Sequence, residues 1–108
     1  MAVPRWFSTL SKRYGRIIKA QEALAAAIRE EGPIDEKTQH LIQLAAAACL
    51  RSEGAVHSHT RRAIEAGASP DEIRHAVLLM INTAGFPLAS AAMCWVEDTL
   101  KTGRKGKK

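Results

Sequence analysis

Cysteine and aromatic residues are scarce in this chain. Of 108 residues, two are cysteine, two tryptophan, two phenylalanine and one tyrosine. The cysteines, Cys49 and Cys94, lie far apart. They form neither a disulfide framework nor a zinc pattern, and they read as reduced thiols of a cytoplasmic protein. No basic and aromatic residues alternate in the way that nucleic-acid surfaces use them, so no nucleic-acid partner is expected. Strand signals are missing too, with no alternating apolar run and no hairpin turn. The first residues hold no apolar segment with a small-residue cleavage site, so no secretory leader is expected.

Charge is unevenly placed. The net charge is +5, and the segment KTGRKGKK carries Lys101, Arg104, Lys105, Lys107 and Lys108. Without those five, 11 Lys+Arg face 11 Asp+Glu. Arg5, Lys12, Arg13, Arg16 and Lys19 come with no acid among them. Both ends are therefore basic and the middle is acidic. Residues 103–108 read as a basic, disordered tail that aids solubility. Between His75 and Glu97 no residue is charged. That length could span a bilayer. Gly85-Phe86-Pro87 interrupts it, and Asn82, Thr83 and Ser90 are polar, so two short helices are expected and no membrane partner.

Helical punctuation organises the rest. Leu10, Tyr14, Ile17, Leu24 and Ile28 recur at helical spacing, predicting one amphipathic helix over 8–31, with Gly15 a weak point and Gly32-Pro33 its end. Asp35 caps a second helix through Leu50, whose alanine run lets a neighbour approach closely. A third runs from about Ala55 to Ala66 and stops at Gly67. Ser69, Pro70 and Glu72 form a capping box that starts a fourth, running to Ala84. A fifth runs from Pro87 to about Lys101. The expectation is an all-α single domain over 1–102, a bundle of about five helices. The last two helices are apolar nearly all round, more than so small a domain can bury. Part of that surface is expected to be a subunit interface in a homo-oligomer.

Four histidines remain to be explained. His57 and His59 sit two apart on one helix, so they face opposite sides and cannot chelate one ion together. A metal would need His40, His75 or Glu53 as well, and no paired-ligand spacing is present, so no metal is expected. Taken alone, each histidine reads as a surface or hydrogen-bonded side chain.

The order IDEKTQHLIQLAAAACLRSEGAVHSHTRRAIEAGASPDEIRHAVLLMINTAGFP resembles the carboxymuconolactone decarboxylase family, which includes the alkylhydroperoxidase D-like proteins. The likeness runs from residue 34 to about 96. It is strongest in His59-Thr60-x-x-Ala63-x-x-x-Gly67-Ala68-x-x-x-Glu72-Ile73 and in Ala84-Gly85-Phe86-Pro87. It implies an alkylhydroperoxidase D-like all-α bundle that forms trimers or hexamers. The peroxidase branch uses Cys-x-x-Cys-x-x-x-His with an upstream glutamate: a thiolate attacks peroxide, a second thiol resolves it, and the histidine and glutamate carry protons. Here the cysteine positions hold Ser52 and Ala55, and the glutamate position holds His40. Only His59 survives, so dithiol peroxidase activity is not implied. The decarboxylase branch places an acid four residues before its histidine, where this chain has Ala55; Glu53 lies six before.

What the resemblance leaves is His59 facing His40 from the next helix, with Ser52 and Glu53 at the mouth. Two adjacent imidazoles lower one another's pKa and can work as acid and base. The expected function is acid–base chemistry on a small organic acid or lactone, with no cofactor. The alternatives are a non-catalytic oligomeric binding or structural module and, further off, a peroxiredoxin-type antioxidant.

Overall fold

The computed structural model describes the backbone of residues 5–106 and the side chains of residues 5–102. The chain divides into two compact units, Met1–Pro33 and Ile34–Lys108. All described structure is helical, in seven segments.

The first unit holds α1, Arg5–Arg13, and α2, Gly15–Glu31. The single helix expected over 8–31 is thus divided at Tyr14, whose φ of −131° and ψ of 50° leave the helical region. The following Gly15 has low helical propensity, so the backbone breaks there cheaply. No residue of either helix is buried. Ile17, Leu24 and Ile28 of the predicted apolar stripe are all more than half exposed.

The second unit begins with α3, Glu36–Cys49, and α4, Glu53–Glu65. Asp35 caps α3, accepting from the Thr38 backbone N–H at 3.4 Å and the Thr38 hydroxyl at 2.7 Å. That hydroxyl bond holds the Asp35 carboxyl below its usual range. Three residues join α3 to α4. There Ser52 N–H donates to the Ala47 carbonyl and Arg51 N–H to that of Ala48, while Arg51 takes a φ of 57°. This is the Schellman closure of a helix end. The end of α4 repeats it, with Ala68 N–H donating to Ala63, Gly67 N–H to Ile64, and Gly67 at a φ of 102°. The first closure thus places an arginine where the second has the preferred glycine.

The capping box opens α5, Pro70–Leu79: Glu72 N–H donates to Ser69 Oγ at 3.1 Å and Ser69 N–H to Glu72 Oε1 at 2.9 Å. The helix expected through Ala84 is interrupted at Met80, and Ile81–Ala84 forms the separate α6. Around Met80 the bonds tighten to i→i+3: Met80 N–H to the Val77 carbonyl and Thr83 N–H to that of Met80. Gly85, with a φ of 102°, then turns the chain into α7, Phe86–Gly106. The expected basic tail, 103–108, lies outside the described side chains.

In this unit α3 lies beside α4, and α7 packs against α4, α5 and α6. Leu44, Val56, Ala63, Ile73, Val77, Ala92 and Val96 make its core, and small residues such as Ala47 and Ala48 let α3 and α4 come close. The Arg74 guanidinium donates to both Glu97 oxygens, at 2.6 and 3.1 Å, tying α5 to α7. Leu78, Leu79 and Phe86 remain more than half exposed. No helix among the described residues is long and apolar enough to cross a membrane.

Candidate functional site

His40 occupies the buried face of α3, only 3% exposed, one turn before Leu44. His59 lies on α4 and is half-buried. Because the α3–α4 turn is short, the two helices run back against each other and their imidazoles meet. The Nδ1 atoms stand 3.4 Å apart, and the ring centroids are 5.6 Å apart at a tilt of 34°. Burial is the main cause that pushes the His59 pKa down to about 4, helped by the charge of His40 and then that of Arg62. At neutral pH His59 is therefore an uncharged imidazole with one nitrogen facing His40 and the other, Nε2, directed away from that contact.

The remaining candidates are arranged differently. Glu53, in the first turn of α4, directs its carboxylate to His57, with 3.6 Å between Oε2 and Nε2. His57 takes no part in the pair, as its place two residues from His59 dictates. Its Nε2 is shielded from water and makes no hydrogen bond. Ser52 is the N-cap residue of α4, is exposed, and forms no side-chain cap bond. Neither Ser52 nor Glu53 hydrogen-bonds to the histidine pair. Sequence reasoning passes over Glu36. Its Oε2 lies 3.8 Å from His40 Nε2, on the opposite side of that ring from His59. The signal was its i, i+4 spacing to His40.

A cleft of about 620 Å³ opens elsewhere, between α3 and the α5–α6 segment. Leu41, Ile42, Ala45, Leu79 and Met80 line it, with Lys37, Thr38, His75 and Thr83 as polar members. The Lys37 ammonium and the Glu72 carboxylate, both on its lining, pair at 3.0 Å. His40 and His59 are not on its wall. The site expected around His59 and His40, with Ser52 and Glu53 at its mouth, is therefore not this cleft, since α3 turns His40 toward α4 and Leu41, Ile42 and Ala45 toward the cleft. Cys49 is exposed and lies on the cleft, and Cys94 is exposed on α7; both are free thiols. Among the described residues no three His, Cys, Asp or Glu side chains converge to hold a metal ion.

The comparisons with known proteins bear on the family and the fold. The model of the carboxymuconolactone decarboxylase family matches residues 16–98. A crystal structure from Burkholderia xenovorans LB400, of a "putative carboxymuconolactone decarboxylase", superposes with a TM-score of 0.74 at 22% identity. The alignment covers 99% of this chain and 86% of that one, which shows a shared fold. No curated protein matches.

Proposed function

Because the chain belongs to the carboxymuconolactone decarboxylase family, we propose that it carries an acid–base site on His59 and His40 for a small organic acid or lactone. We include in this reading a homo-oligomeric assembly and the absence of dithiol peroxidase activity. The observation that carries it is the 3.4 Å contact between the two imidazoles, with His59 held neutral. A carbanion left by a departing carboxylate, or by removal of a proton beside a carbonyl, must be protonated. An imidazole nitrogen turned away from its partner can accept and return that proton. Ser52, with no cap bond of its own, is left available to a ligand at the start of α4. Glu53 supports the adjoining His57 instead. The free cysteines suit a reducing, cytosolic setting.

The test follows carboxylated lactones and small keto acids by NMR in D2O, scoring loss of CO2, ring change or deuterium uptake beside the carbonyl. We expect turnover or exchange in the wild type, its abolition in His59→Ala, and a fall of at least about tenfold in His40→Ala. Folded wild-type protein that is inert toward the whole set overturns the enzymatic reading. The non-catalytic module draws on one observation, that the large apolar cleft lies apart from the pair. Under it, ligands bind the cleft and neither histidine substitution changes their affinity.

The peroxidase reading lacks its thiols at Ser52 and Ala55. Replacing Cys49 and Cys94 together by alanine is expected to leave any activity intact. Cysteine-dependent turnover of an organic hydroperoxide would reverse that conclusion.

A further inference from the structure

We propose that Glu36 is a positioning residue of the histidine pair: its carboxylate keeps the His40 proton on Nε2, and this fixes His59 as the Nδ1–H tautomer with its lone pair on Nε2. The inference rests on the acid–base reading of the pair and adds to it a direction for the proton.

Two Nδ1 atoms at 3.4 Å cannot both present lone pairs without repulsion, nor both present hydrogens without a clash. One proton lies between them, and it belongs to either His40 or His59. If it sits on His40 Nδ1, the neutral His40 ring turns its Nε2 lone pair toward the Glu36 carboxylate, 3.8 Å away. Two acceptors would then face each other, and the buried His40 nitrogen would have no donor to offer the carboxylate. If it sits on His59 Nδ1, the His40 proton is on Nε2 and meets the carboxylate as a donor. The second arrangement is the favoured one.

Backbone position supports it. Glu36 is the first helical residue of α3 and His40 lies one turn later on the same face. A carboxylate there also complements the positive end of the helix. The 3.8 Å separation is that of an ion pair rather than of a hydrogen bond, and the Glu36 side chain is two-thirds exposed.

The proton path then closes without any added reactant. His59 Nε2 takes a proton from the substrate through its lone pair. The hydrogen on His59 Nδ1 passes to the lone pair on His40 Nδ1, which returns His59 to a neutral Nε2–H ring. The positive charge now rests on His40, doubly protonated and beside the Glu36 carboxylate. Returning the proton to product reverses each transfer.

The test is long-range ¹H–¹⁵N correlation of the imidazoles, at about pH 8, above the ordinary histidine range. In the wild type His59 is expected as Nδ1–H and His40 as Nε2–H. Histidine in water prefers Nε2–H, so the His59 pattern is a specific signature. In Glu36→Ala the Nδ1–H form of His59 is expected to fall from the major to the minor species, with the helical circular dichroism unchanged. A wild type with His59 as Nε2–H and His40 as Nδ1–H overturns the proposal. So does a Glu36→Ala spectrum identical to that of the wild type. Turnover is not part of this readout. An inert protein with the expected spectra refutes the enzymatic reading alone, and an active protein with unchanged Glu36→Ala spectra refutes the role of Glu36 alone.

Discussion

A half-buried histidine held neutral makes stability depend on pH in a direction that can be worked out. His59 protonates at about 4 in the folded chain, against an ordinary value of 6.5. Between those two values the unfolded chain binds more protons, so stability rises with pH across that window and levels off above it. Acidification from neutrality therefore destabilises the fold, and His59→Gln should remove that part of the slope. Urea midpoints at about pH 5 and about pH 7.5 measure it. An identical pH dependence in the two proteins would show that His59 is not held neutral by burial. The proximity of His40 to His59 was legible through the family resemblance, and the opposite facing of His57 through helical geometry. Glu36 was not, because its role appears only once the orientation of the His40 ring is known. Nor was the separation of the pair from the cleft, which depends on how α3 is rotated.

Helix ends show where sequence signals are strong and where they fail. Asp35 and the Ser69–Glu72 box are read directly, because each device satisfies a backbone N–H by a residue at fixed spacing. Ser69→Ala should cost about 1 kcal/mol, seen as a lowered thermal midpoint. No change would mean that the box contributes nothing to α5. The breaks at Tyr14 and Met80 carry no such signature. The first lies beside a glycine already noted as weak, and the second is a tightening of hydrogen bonds inside a continuous apolar run. Arg51 is the opposite case, an ordinary-looking residue in a left-handed conformation. Replacing it by glycine removes that strain but enlarges the freedom of the unfolded chain, leaving a net gain of roughly 0.5–1 kcal/mol. A lower melting temperature in Arg51→Gly would mean that the arginine side chain does something the backbone argument omits.

At the scale of the molecule, uncovered apolar surface is the dominant feature. Ile17, Leu24 and Ile28 in the first unit, and Leu78, Leu79 and Phe86 in the second, are all more than half exposed. Where such side chains form a contiguous patch, the surface is of the kind that meets other protein. The chain is expected to assemble with itself, as a trimer or hexamer on the family resemblance. Light scattering should give a multiple of 11.8 kDa without detergent, and a charge at Leu79 should shift it downward. A wild-type mass of one chain refutes the assembly. The all-α class was legible, since helix signals fill the sequence and strand signals are absent. The partition at Pro33 was not, because periodicity reports faces and says nothing about which faces find partners.

The short connection between α3 and α4 has a further meaning when time replaces energy as the measure. His40 and His59 are only nineteen residues apart along the chain. The cost of closing a loop grows with the logarithm of its length, and contacts between near neighbours form early. The imidazoles can therefore meet as soon as one hairpin docks, ahead of the more distant docking of α7. The approach of the two rings is therefore a clock of its own: followed during refolding, the contact between His40 and His59 would time the docking of this hairpin separately from the burial that completes the fold around it.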